Sequence, residues 1–234
     1  MKKFIAVLLC LIIALAFSAC SKEENVKPGE KTTKSVEVSG IGATAKITTT
    51  EDKNGVGTML NDATIPVFSV DGQSAAIDAL NARIEAEVKA LCDAAAAEPL
   101  QYAFAYTEIK ETDRYLQAIV TYGNALSIDG FSVASYVYDK ASDKEATVND
   151  AYAACDMTAG DFDKLVSKLF EEKGPAGIIE KTEVQGFAFA SAGFPQFFVK
   201  ITFDTGSDTQ TEVVTIVPET ESFDPATDKV VVKD

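Results

Sequence analysis

Histidine is absent from all 234 residues of the chain. That removes the usual general base near neutral pH, the serine and cysteine triads built on imidazole, and most zinc sites. Catalysis would have to rest on carboxylates, lysines or tyrosines, and with 36 Asp and Glu residues any two can be called a pair. Spacing alone therefore identifies no catalytic residue. Tryptophan is absent too, which weakens a sugar-stacking reading, although Tyr and Phe can substitute. Basic residues are scarce: 21 Lys and Arg leave a formal net charge of −15. Such a surface repels nucleic acid and favours cationic partners, which it steers in at low salt. Solubility explains the same acidity without any partner.

Only one long apolar run occurs, Phe4 to Phe17. Lys2 and Lys3 precede it, and the small residues Ser18 and Ala19 lead from it to Cys20. This order predicts a lipoprotein signal peptide over residues 1–19. A permanent anchor normally needs about 20 apolar residues, and this run is shorter and ends at a processing signal. Phe17 stands where leucine is commoner. Cys20 is the expected lipidation site, with palmitate or similar chains; two or more chains give stable anchoring. The expected location is the extracytoplasmic face of the membrane, or the outer membrane or cell surface if the cell has two membranes. Cleavage removes two lysines and no acids, so the charge moves from −15 to −17.

Residues 20–35 are too polar to bury anything and predict a flexible tether. Their Ser21-Lys22-Glu23-Glu24 start resembles a surface-export signal, and a polar tether explains it equally well. Residues 36–218 are expected to form a single domain, and residues 219–234 an acidic C-terminal tail. Of four cysteines, Cys10 leaves with the signal and Cys20 is acylated. Cys92 and Cys155 remain, and outside the cytoplasm they can pair, for a gain of roughly 4 kcal/mol in the chain-entropy picture. Against pairing, Cys92 falls on the apolar side of a helix and reads equally as a small core residue.

Along the domain, Val36, Val38, Ala43, Ala45 and Ile47 alternate as a half-buried strand or hairpin, with Gly40 and Gly42 at the bend. Thr64 to Val70 predicts a strand that Pro66 confines to an edge. Ile77, Leu80, Ile84, Val88, Leu91 and Ala95 recur at helical steps between Ser74 and Ala96. Three strands follow, Tyr102 to Ile109, Tyr115 to Tyr122 and Ser132 to Tyr138. A second helix covers Asp161 to Glu172, stopped by Gly174-Pro175. Two last strands, Phe197 to Phe203 and Glu212 to Val217, flank the turn Asp204 to Thr211, and Val230 to Val232 suit a further edge strand. The order predicts an α+β fold, an antiparallel sheet with two main helices packed on one side.

Ile65-Pro66 with Ile77, Asn81 and Ile84, the stretch SVASYVYDKASDKEATVNDAY from Ser132 to Tyr152, and FFVKITFD with VVTIVP between Phe197 and Pro218 form three blocks. Together they resemble the extracytoplasmic domain of RsiV-type lysozyme-responsive anti-sigma factors, found also in the N-terminal regions of some peptidoglycan deacetylases and itself of unknown function. The resemblance spans roughly residues 36 to 218 and rests on order and spacing of common residues. The link Thr205 to Thr211 lacks that family's tyrosine, proline and alanine-glycine pattern. Neither a sigma-binding region nor deacetylase metal ligands are present, so the resemblance implies an envelope-facing binding surface and neither of those activities.

Asp52-Lys53-Asn54-Gly55 and Asp204 through Asp208 to Glu212 resemble calcium loops, but neither matches the twelve-residue pattern, and hairpin turns use the same residues. No metal or cofactor is expected. Tyr102, Phe104, Tyr106, Tyr115, Tyr122, Tyr136 and Tyr138 are expected to pack beneath a helix rather than form a ligand platform. Phe187, Phe189, Phe194 and Phe197, around Gly193 and Pro195, are the expected partner patch, because a loop break makes them hard to bury together. The expectation is a non-enzymatic membrane-anchored binding module for an envelope component or, through the resemblance, a cationic protein such as lysozyme. The rivals are a carboxylate-based enzyme on cell-wall material, with two acids converging in one pocket, and an accessory structural domain without a deep pocket.

Overall fold

The alternation of Val36, Val38, Ala45 and Ile47 becomes a hairpin. β1 (Glu30–Gly40) and β2 (Ala43–Lys53) pair antiparallel, with Val36 opposite Ile47 and Val38 opposite Ala45. β1 begins at Glu30, inside the segment expected as tether. The computed structural model describes residues 30–40, 43–53, 64–70, 74–97, 103–124, 131–227 and 229–233; Cys20 and the signal segment lie outside them.

β3 (Thr64–Val70) pairs with β2 and ends this sheet, in the edge position Pro66 requires. At Phe68 its outer edge is nonetheless satisfied. Asn81, in helix α1 (Ala75–Ala97), accepts the Phe68 N–H at 2.7 Å and donates to the Phe68 carbonyl at 2.7 Å. A carboxamide carries the same donor and acceptor as a peptide group, so one side chain replaces a neighbouring strand there.

α1 turns Ile77, Leu80, Ile84 and Val88 onto Leu116, Ala118, Val120, Tyr136 and Tyr138. Those five belong to a second antiparallel sheet, β4 (Ala103–Glu111), β5 (Tyr115–Asn124), β6 (Phe131–Asp139) and β7 (Lys144–Glu145), in that spatial order. Burying each of the four helix side chains contributes about 1.5–3 kcal/mol, enough to hold a helix of only moderate amphipathic character.

Two capped helices come next. Thr147 caps α2 (Val148–Ala154) and Thr158 caps α3 (Ala159–Lys173); in each, the aspartate three residues on, Asp150 or Asp161, accepts the cap residue's own N–H. Gly174 ends α3, as the sequence implies. α3 places Phe162, Val166, Leu169 and Phe170 against Phe197, Val199, Ile201 and Phe203. The latter lie in β9 (Pro195–Asp204), within a third sheet of order β11-β10-β9-β8. Its other strands are β8 (Ile178–Phe189), β10 (Thr209–Val217) and β11 (Ser222–Pro225).

The α+β class holds, with every described strand pair antiparallel. In place of one sheet, the described strands form one sheet of three and two of four, and the helices touch all three, α1 packing on Ile65 and Phe68 of β3 as well as on the second sheet. The reason is local: α2 and α3 interrupt the chain after β7, so β8 starts a new sheet. A third core joins the two larger sheets through Ile119, Phe131, Val133, Ala188, Phe198 and Val213. Val230 and Val232 complete it, and Val231 between them is 46% exposed, the period of an extended segment. Much of the stretch expected as an acidic tail therefore folds onto the domain, through β11 and these two valines.

Candidate binding cleft

β5 is buried on both faces. Leu116, Ala118 and Val120 face α1, while Gln117, Ile119 and Thr121 face the third sheet, each 0–1% exposed. A buried amide needs partners, and Gln117 finds both in one residue: it accepts the Phe189 N–H at 2.5 Å and donates to the Phe189 carbonyl at 2.9 Å. Two further side chains stitch the same seam. Gln185 accepts the Val133 N–H at 2.9 Å, and Ser135 accepts the Phe187 N–H at 2.9 Å. β8 thus meets β6 through side chains instead of a backbone ladder. The approach is close at Gly186, where a Cβ would lie 2.5 Å from Ser135 Oγ, so glycine is required there for contact rather than for dihedral freedom. The β8–β9 register shifts between Val184 and Gly186, which turns Gln185 toward β6.

This seam covers only half of one sheet face. On the side of β9 away from α3, Gln196 and Phe198 are fully buried, and Lys200 and Thr202 continue the same alternation but stay half-exposed. Beyond Phe198 the face opens into a cleft of about 380 Å³, lined by Lys181, Glu183 and Gln185 of β8, Lys200 and Thr202 of β9, and Thr211 of β10. Tyr122 and Ser132, opposite each other on β5 and β6, form its wall. Lys200 Nζ donates to Ser132 Oγ at 3.4 Å, Thr202 and Thr211 share a hydroxyl contact of 3.2 Å, and Lys181 pairs with Glu183 at 3.0 Å. Burial pushes the Tyr122 phenol up, against a hydrogen bond from Ser132 that lowers it, so the hydroxyl is a neutral donor at physiological pH. A second cleft of about 360 Å³ lies where Lys229 and Val230 cross Tyr106, Glu108 and Thr121.

Two acids do converge elsewhere. Arg83 pairs with Glu87 at 3.1 Å and with Glu145, while Tyr136 donates to Glu87 at 2.9 Å. Burial raises the Glu145 carboxyl, Arg83 lowers it, and Glu87 raises it again. Neither acid lines a described cleft, and the guanidinium sits between them, an arrangement that ties α1 to β6 and β7. Asp139 is a different case. Arg114 grips it with Nε at 3.0 Å and Nη2 at 2.8 Å, Ser142 donates at 2.8 Å and the Ala141 N–H at 3.0 Å. Led by the Arg114 bond and opposed by burial, these contacts hold its carboxyl down at about 2, against 3.8 ordinarily. A depressed folded value stabilises the protein above the ordinary value, and that stability is lost as pH falls from about 4 toward 2. Asp139→Asn is expected to cost roughly 1–2 kcal/mol at pH 7, discounted for the exposed Arg114. Urea titrations should show the variant losing less stability than the parent across that acid window, the rest of the loss coming from Asp143, Asp150, Asp161 and Glu221, whose carboxyls their hydrogen bonds also hold down; an unchanged acid limb would refute the assignment.

The expected partner patch is not a surface. Phe187, Phe189 and Phe197 are 6%, 1% and 0% exposed and belong to the core under α3; only Phe194 is half-buried. Phe187 and Phe189 lie in β8 itself, beside Phe197 in β9 of the same sheet, and α2, α3 and Tyr115 cover them. Tyr115, Tyr136 and Tyr138 are buried, and Tyr106 and Tyr122 half-buried; the side chains of Tyr102 and Phe104 lie outside the described residues. Cys155 is a half-buried free thiol, pushed up by burial, and the side chain of Cys92 lies outside the described ones. The Asp204–Glu212 stretch forms a hairpin turn: Asp204 accepts the Gly206 N–H at 2.7 Å, and Thr205 Oγ1 accepts that of Asp208 at 3.1 Å. Among the described residues no three acids or cysteines gather as a cation would need; Asn54 and Gly55 of the other loop lie outside them. No helix there is long and apolar enough to cross a membrane.

Lys200, Lys181, Ser132, Thr202 and Thr211 were not singled out by their pattern. For Lys200 and Thr202 the one signal is the polar half of the alternation in FFVKITFD, which any solvated sheet face shows. No protein-family model matches the chain, and no curated protein matches it significantly.

Proposed function

We propose that the mature chain is a non-enzymatic binding module, held outside the cytoplasm by acyl chains on Cys20, whose ligand is a component of the cell envelope. The observation that carries the binding half of this reading is the uncovered polar floor beside Phe198. A sheet face buried for half its length and then opened against a second sheet is concave, and concave sites with converging polar groups are where small ligands bind. The anchoring half rests on the order Lys2-Lys3, Phe4 to Phe17, Ser18-Ala19-Cys20. A cationic protein such as lysozyme is the second partner class, supported by the excess of acids and by the RsiV-type resemblance.

Cys20→Ala is expected to abolish palmitate incorporation and move the protein from the detergent phase to the aqueous phase in a phase-separation assay. Incorporation that persists in the variant would overturn the anchor. Calorimetry with lysozyme across a salt series tests the second partner class: an affinity that falls steeply with salt supports it, and no binding at low salt removes it.

A further inference from the structure

We infer that the cleft between β5–β6 and β8–β10 is a subsite for a carboxylate-bearing saccharide, with Lys200 pairing the carboxylate. The inference deepens the envelope-ligand reading and depends on it only for the source of the ligand.

Charge comes first. The chain carries 36 acids against 21 basic residues, yet this cleft holds two lysines and one glutamate. That glutamate, Glu183, pairs with Lys181 at 3.0 Å and also stands opposite Lys200 in the β8–β9 register, so one carboxylate faces two ammonium groups and the cleft keeps a net positive charge. Lys200 makes no ion pair among the described residues, and its one hydrogen bond, to Ser132, is long at 3.4 Å. A half-buried ammonium with spare donors in so acidic a protein is positioned for an anion from outside. An ammonium is a strongly hydrated point charge with three donors, and a partner that displaces its water must offer an anionic oxygen.

The rest of the lining says what else that anion carries. Hydroxyls of Tyr122, Ser132, Thr202 and Thr211 and the amide of Gln185 ring the lysine. Each hydroxyl both donates and accepts, as a sugar hydroxyl does. Gln185 spends its carbonyl on the Val133 N–H, leaving its NH₂ as a donor. Polar groups dominate the lining and no aliphatic side chain contributes, whereas pockets for apolar ligands are mostly hydrophobic. About 380 Å³ falls near the lower end of the roughly 300–1,000 Å³ of small-molecule sites, a size for one short segment of a chain and not for a macromolecular face.

The test is calorimetry on the detergent-solubilised mature lipoprotein with three probes: D-glucuronate, D-glucose and acetate. Glucuronate is expected to bind saturably, with glucose and acetate each at least tenfold weaker, since one lacks the charge and the other the hydroxyls. Lys200→Met should weaken glucuronate at least tenfold while Lys200→Arg largely restores it. Thr202→Val, which keeps the volume and the strand, should weaken it severalfold with the melting temperature unchanged, and it serves if Lys200→Met fails to fold. Glucuronate binding no tighter than acetate overturns the saccharide half. Binding unaltered in both Lys200→Met and Thr202→Val overturns the site. A protein that takes palmitate at Cys20 and ignores glucuronate sinks this ligand class alone, and one that binds glucuronate without palmitate sinks the anchor alone.

Discussion

Phe197→Ala should lower stability by about 3–5 kcal/mol, the usual cost of deleting a buried ring that its surroundings cannot refill. Phe197 is fully buried, its ring 4.3 Å from Phe162 and 5.2 Å from Tyr152, centroid to centroid. It joins α2, α3 and β9 at one point and lies opposite Phe187 of β8 in the β8–β9 register. None of these can move in to fill the gap without leaving its own helix or strand register. For a domain of this size the loss corresponds to roughly 10 °C in melting temperature. Thermal melts of Phe197→Ala beside Phe194→Ala make the comparison sharp, because Phe194 is only half-buried and its variant should shift far less. Equal, small shifts for both would mean that the ring is not packed as described and would return Phe197 to the surface patch its sequence context suggests.

Gln117→Leu should be nearly as damaging, for the opposite reason. The substitution keeps size and adds apolar character at a fully buried position, which on hydropathy alone ought to be harmless. Yet the amide satisfies two backbone groups, the Phe189 N–H and carbonyl. An unsatisfied buried polar group costs about 1–3 kcal/mol, so losing both predicts roughly 2–5 kcal/mol. The effect should also be local. Amide exchange at Phe189 and its neighbours in β8 is expected to accelerate more than exchange in α1, since the seam opens before either sheet does. A leucine variant as stable as the parent would show that the two sheets are held by Ile119, Val133, Ala188 and Phe198 without the stitch.

The same device recurs. Gln196, also fully buried, accepts the Lys233 N–H at 3.0 Å and returns a hydrogen bond to the Lys233 carbonyl, as Asn81 does with Phe68. Three carboxamides therefore each take the place of a neighbouring strand, at β3, at β8 and at the C-terminal segment. Nothing in composition marks them, since Asn and Gln ordinarily sit at the surface.

Where periodicity was strong, local sequence was a good guide. The step pattern from Ile77 to Val88 is the buried stripe of α1, and Phe162, Val166, Leu169 and Phe170 are that of α3. Where it was weak, reading failed. β8 reads IIEKTEVQGFAF, with Ile178 75% exposed and Gly186 in its interior, so alternation does not announce a strand even though half its residues are β-formers. Without a strand there, Phe187 and Phe189 read as loop residues rather than as the helix-covered face of a sheet, and the supposed patch followed. The cleft was lost with it, since β8 forms one side.

By itself the sequence determined the elements that carry their own period and the α+β class. Those are properties of residues near one another in the chain, which hydrophobic spacing and capping chemistry express directly. Tertiary structure alone decided which sheet each strand joined, that Gln117 and Phe197 are inside, and that Lys200 faces a concavity. Each of those depends on residues far apart in sequence, from Gln117 to Phe189 or from Ser132 to Lys200, and contacts across such distances leave no periodic trace in either partner.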